Sequence, residues 1–142
     1  MKKVIFVCTG NTCRSPMAMA VCKKKLEEQG ITGWQVDSAG LAASECNISE
    51  NSNEALRKIG INISGFLSKS LTLDMAFEAD LIVVMTLIHK GALLSAGIAE
   101  EKVIVLGNGI PDPFGGDAKV YENCLNEIIK GIDILLNEGV LN

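Results

Sequence analysis

Hydrophobic positions along this chain follow two alternating rhythms. Short, nearly unbroken apolar runs stand at 4–7, 34–36, 81–85 and 102–106. Between them, apolar residues recur every three or four positions. The runs predict strands buried on both faces, and the spaced stretches predict amphipathic helices. The first helix is expected over 15–29, through Met17, Ala20, Val21 and Leu26, with Gly30 as its stop. A second is expected over 49–59, closed by Gly60, and one or two turns over 72–78 with Thr72 as N-cap. Another should follow over 87–97. The last, capped by Asp117, should run to about Asn137 with Val120, Leu125, Ile128, Ile132 and Leu135 on its apolar face. The stretches 41–50, 64–70 and 107–116 read as loops. Strands alternating with helices predict a parallel sheet covered on both faces: a three-layer α/β sandwich, four strands in the order 2-1-3-4, one domain over 1–142.

Composition narrows what such a fold could do. The chain has 142 residues, 48% of them hydrophobic, and a net charge of −4. That balance argues against a broad nucleic-acid surface, so any anion site must be local. Arg14 and Arg57 are the only arginines beside 11 lysines. An arginine inside a helix-opening loop therefore suggests a planar fork for paired oxygens, whereas Arg57 reads as a helix-surface residue. The cysteines, 8, 13, 22, 46 and 124, are odd in number and form no CxxC pair. Free thiols in a reducing cytoplasm are expected. The apolar opening is too short for a secretory or lipoprotein signal, and no run nears the roughly 18 residues of a membrane span.

The candidate chemistry gathers where the first strand ends. VIFVCTGNTCRSPMA places Cys8 at a strand's carboxyl end and Ser15-Pro16 at a helix start, with Pro tolerated in a first turn. Strand, glycine-bearing loop and helix start together build an anion site from backbone N–H groups. Within it, Gly10 permits positive φ and close approach, and Asn11 tolerates the left-handed region. Cys8 reads as a nucleophile, Arg14 as a phosphoryl clamp, and Ser15 as a donor to the sulfur. Thr9, Thr12 and Cys13 complete the loop. Far along the chain, Ile110-Pro-Asp-Pro-Phe-Gly-Gly116 frames Asp112 between prolines, a rigid presentation suited to a general acid. Taken alone, that segment is an ordinary turn.

CTGNTCRSPMA near one end and DPFGG near the other resemble the low-molecular-weight protein-tyrosine-phosphatase family, along essentially the whole chain. The resemblance implies a flavodoxin-like, Rossmann-like phosphatase fold. It implies a phosphocysteine at Cys8, phosphoryl binding by Arg14, and Asp112 as acid and then base, without metal or cofactor. Phosphorylated proteins are the implied partners, with inorganic phosphate or a similar oxyanion in the loop and no membrane or nucleic-acid partner. Thr12 stands where tyrosine-specific relatives usually carry an aliphatic residue, and the loop is similar to that of bacterial protein-arginine phosphatases. Phe114, on the substrate rim, and the glycines after it point the same way. The reading leans to phosphoarginine, with phosphotyrosine as the alternative.

Other residues have weaker expectations. Met19 replaces a glutamate common in relatives, and Phe66 falls near a histidine that supports the loop asparagine there. Both put the loop's bracing in question. Cys13 could capture an oxidised Cys8. Cys22, Cys46 and Cys124 are expected to be structural, His89 to have no role, and Tyr121 to lie on a helix surface. Rivals to the phosphatase reading are a thiol-dependent arsenate reductase, a sugar-transport phosphocarrier and a phosphoprotein-binding module. The first needs further relay cysteines, and the others have no need of both a nucleophile and a distant acid.

Overall fold

The computed structural model describes residues 1–142. The chain forms β1 (Lys2–Cys8), α1 (Arg14–Glu28), β2 (Trp34–Gly40), α2 (Glu50–Lys58) and α3 (Leu73–Glu78). Then come β3 (Leu81–Val84), α4 (Leu87–Ser95), a single 3-10 turn (Glu100–Lys102), β4 (Val103–Val105) and α5 (Ala118–Asn137). The sheet runs β2-β1-β3-β4, every pair parallel, as the sequence predicts. β1 lies inside the sheet, and its last residue, Cys8, pairs with Gly40 of β2.

Alternation along β1 sorts its side chains into two cores. Val4, Phe6 and Cys8 join Met17, Leu56, Ile128 and Ile132 under α1, α2 and α5. Ile5 and Val7 face the other way, onto Ala76, Ala79 and Leu93 under α3 and α4. Burying a side chain such as Phe6 or Ile5 contributes about 1.5–3 kcal/mol relative to exposure. These two layers hold the strand ends in fixed positions, and the loops that carry the candidate residues hang from those ends.

Four helices open on the acceptor side chain that the sequence supplies. Ser49, Thr72, Thr86 and Asp117 accept from the backbone N–H of Ser52, Met75, His89 and Val120. α1 differs: Cys13 is its N-cap and makes no side-chain capping bond. β2 is also longer than its apolar run over 34–36. Polar Asp37 and Ser38 continue the strand because β1 lies beside them in register through Gly40. No helix is long and apolar enough to cross a membrane.

Candidate active site

The loop between β1 and α1 closes around the sulfur of Cys8, which is 3% exposed. Ser15 Oγ lies 2.9 Å from that sulfur, and the Asn11 N–H donates to it at 3.3 Å. Asn11 Nδ2 donates to Ser15 Oγ at 2.7 Å, so the serine proton is shared between the sulfur and the Ala39 carbonyl, 3.4 Å away. The Ser15 hydroxyl and the Asn11 N–H thus converge on Cys8 Sγ.

Asn11 holds this arrangement together. Its φ of 56° lies in the left-handed region, where asparagine is among the few tolerated side chains. Nδ2 also donates to Ser38 Oγ at 3.0 Å, and Oδ1 accepts the Lys69 N–H at 3.0 Å. Lys69 Nζ in turn contacts both carboxylate oxygens of Asp37, at 2.8 and 2.7 Å. Ser15, Ser38 and the Lys69 amide supply the bracing that Phe66 put in question. Phe66 itself packs, half-buried, against the larger core, and Met19 is buried in it. Of the two residues that permit a positive φ, Asn11 and not Gly10 adopts it. A Cβ at Gly10 would touch only Thr12 Oγ1, at 3.7 Å, so the protein alone does not demand glycine there. It does demand Gly40, where a Cβ would lie 2.5 Å from the Thr9 carbonyl oxygen and 3.0 Å from Asn11 N.

Arg14 begins α1 and is 4% exposed. Its Nη1 donates to the Ile110 carbonyl at 2.9 Å, which ties the first loop to the loop after β4. Nη2 lies 3.8 Å from Asp112 Oδ2. The Asp112 side chain is 55% exposed, and its Oδ1 accepts the Phe114 N–H at 3.1 Å. An open cleft of about 290 Å³ is lined by Cys8, Thr9, Gly10, Thr12, Cys13, Arg14, Asp112 and Phe114. Every residue singled out in sequence either lines this cleft or, for Asn11 and Ser15, stands buried behind it. The combination of a sulfur with two donors, a buried guanidinium and a carboxylate at the rim can hold a tetrahedral oxyanion and exchange a proton with its leaving group.

Two expectations need correction, at Tyr121 and Cys46, and His89 has contacts that the sequence did not foretell. Tyr121 is 4% exposed, not on the surface, with its hydroxyl 3.5 Å from Cys13 Sγ. Burial and the Cys13 contact push its pKa up to about 12. His89, expected to be idle, is buried and bonded to Thr9 Oγ1 at 2.9 Å. Cys46 is exposed, whereas Cys22 and Cys124 are buried, with thiol pKa values that burial raises to about 12. Sequence reasoning missed these contacts because they join residues 80 and 108 positions apart. Ser38, Ala39 and Gly40, the end of β2, pack under the loop.

A family model described as low molecular weight phosphotyrosine protein phosphatase matches residues 3–140. The chain is 37% identical to a protein-arginine-phosphatase of Bacillus subtilis over 134 residues, covering 88% of each. It is 36% identical to an arsenate reductase of Staphylococcus epidermidis, over 93% of this chain and 94% of that one. A crystal structure of a low molecular weight protein tyrosine phosphatase from T. tengcongensis superposes with a TM-score of 0.90 at 35% identity. That match covers 97% of this chain and 99% of the other.

Proposed function

Because the chain belongs to the low molecular weight phosphotyrosine protein phosphatase family, and is a cysteine-dependent phosphatase, we propose that Cys8, Arg14 and Asp112 carry its reaction. The Cys8 thiolate attacks phosphorus, and the bond from phosphorus to the leaving group breaks. The departing electron pair takes the proton of Asp112. Water then attacks the phosphocysteine and gives its proton to Asp112, and inorganic phosphate leaves with the thiolate restored. Splitting one displacement into two is the advantage of a covalent intermediate. Arg14 and the loop amides offset the charge on the phosphoryl oxygens. The observation that carries this reading is the pairing of Ser15 and Asn11 on the Cys8 sulfur, in one cleft with Arg14 and Asp112.

The substrate we favour is phosphoarginine in proteins. Thr12 lines the cleft, half-buried, where its hydroxyl meets a polar guanidinium better than a flat ring. Phe114, 82% exposed, forms an open rim rather than a closed aromatic slot. The likeness to a protein-arginine-phosphatase supports the same choice. Phosphotyrosine is the alternative. Arsenate reduction is the reading from another class, and it needs thiols that can relay a disulfide. Cys124 is buried beneath Pro111, and Cys46 is exposed in the loop that precedes α2, which gives such a relay little support.

Cys8→Ser is expected to abolish turnover of an aryl phosphate while leaving phosphate binding measurable by calorimetry. Retained turnover would remove the mechanism. Thr12→Ile should shift the ratio of kcat/KM for phosphoarginine against phosphotyrosine peptides toward tyrosine by about tenfold, the effect of about one hydrogen bond. An unchanged ratio would refute the role of Thr12. Arsenate-dependent thiol oxidation by the wild type would favour the reductase.

A further inference from the structure

His89 is the chain's single histidine, and the reaction above has no use for it. Its ring is nonetheless bonded at both nitrogens. Nδ1 lies 3.0 Å from Thr86 Oγ1, and Nε2 lies 2.9 Å from Thr9 Oγ1. Thr86 and His89 stand at the start of α4, which follows β3. Thr9 belongs to the loop that carries Cys8 and lines the same cleft.

One assignment of the protons is consistent with both bonds and with the helix cap. Thr86 Oγ1 caps α4 by accepting the His89 N–H at 3.3 Å, and its own hydrogen is available to Nδ1. Burial lowers the ring's pKa from its ordinary value near 6.5, the Arg14 charge adds to that effect and Asp112 opposes it, so the neutral ring is favoured. In the tautomer that accepts at Nδ1, the ring carries its hydrogen on Nε2 and donates it to Thr9 Oγ1. Thr9 Oγ1 has no other partner in the protein, so its own hydrogen is left for whatever occupies the cleft.

We propose that Thr86, His89 and Thr9 form a directional hydrogen-bond relay that makes the Thr9 hydroxyl a donor to a phosphoryl oxygen bound in the cleft. This rests on the reading of the cleft as a phosphoryl site. Thr9 is the contact, and His89 is a positioning residue that acts through it. A free threonine hydroxyl would rotate and spend part of its time bonded to water. Here its lone pair is occupied from behind and its proton is directed forward. Donors fixed before the ligand arrives need no reorganisation when charge develops on the oxygens. The same link ties the loop to α4, as Arg14 ties it to the loop after β4.

The test measures inorganic phosphate binding by titration calorimetry, alongside turnover of an aryl phosphate. Thr9→Val should weaken phosphate about tenfold, the loss of a hydrogen bond to a charged group. His89→Phe should weaken it about threefold to tenfold, since the hydroxyl stays but is no longer oriented. The double variant should bind no more weakly than Thr9→Val alone. His89→Gln, whose amide reaches the Nε2 position, and Thr9→Ser should both bind within about twofold of wild type. A His89→Phe loss of equal size with and without the Thr9 hydroxyl would overturn the relay and leave His89 purely structural. So would Thr9→Val with unchanged phosphate affinity. If the wild type binds no phosphate, the reading of the cleft falls and the relay with it; the other outcomes reject the relay alone.

Discussion

The two loops that meet over the cleft are built in opposite ways. The loop from β1 to α1 is polar yet buried: Asn11, Arg14 and Ser15 are at most 4% exposed, and each is satisfied by hydrogen bonds. No buried side-chain nitrogen or oxygen in the molecule lacks a partner. The loop from β4 to α5 is the reverse, with Phe114 82% exposed and Asp112 held only by its prolines, the Phe114 amide and Arg14. The nucleophile's side is fixed in advance, since a misplaced donor in a buried network is costly. The side that carries Asp112 stays open, which suits the proton exchange proposed for its carboxylate. The Arg14 bond to the Ile110 carbonyl is where the rigid loop sets the position of the open one.

The largest expected effect attacks the open side. Asp112→Asn should lower kcat for a poor leaving group by about 10²–10⁴-fold, the usual worth of a positioned acid. Activated aryl esters, which leave unaided, should lose much less. Equal losses on both would remove the acid role and with it the division of labour between the loops. Gly40→Ala tests the buried side from behind, without changing any side chain of the cleft. Its Cβ would meet the Thr9 carbonyl oxygen and Asn11 N, backbone atoms that move only if the loop moves. Thermal unfolding should show a loss of about 1–3 kcal/mol, with kcat/KM down about tenfold. A wild-type melting curve would mean that the loop is softer than its hydrogen bonds indicate. The smallest effect is expected at the rim: Phe114→Ala should leave stability within about 0.5 kcal/mol and raise KM for peptides a few-fold. A clear loss of stability there would mean that the exposed loop is also part of the packing.

The same contrast explains what could be read from sequence. Val4–Val7 and Leu81–Val84 are legible as buried strands because their own side chains drive them inside. Ser49, Thr72 and Asp117 are legible caps because capping is local. Cys8, Arg14 and Asp112, which meet in one cleft, stand out in the sequence because their residue types are rare there and their local frames distinctive. Asp37 and Ser38 are not legible as strand, since their conformation is set by β1 and not by their own preference. The contacts of Tyr121 and His89 were not legible for a related reason. Each sits in a helical stretch that looks like surface, and each is drawn in by one polar partner from a distant loop. Gly10 and Asn11 show the limit within a motif: the residue types predict a left-handed turn, and only the fold determines which of the two takes it.

The ribosome meets these parts in a telling order. Cys8 is made about a hundred residues before Ile110, but its loop leans on Ser38 and Lys69, and the guanidinium of Arg14 is aimed by the carbonyl of Ile110. A nascent chain therefore carries this thiol well before it has the means of using it. Long-range pairing of this kind forms late, after the intervening segments have been closed into loops. Turnover in a newly made sample thus reports completed folding, since a half-built molecule has the thiol but not the site.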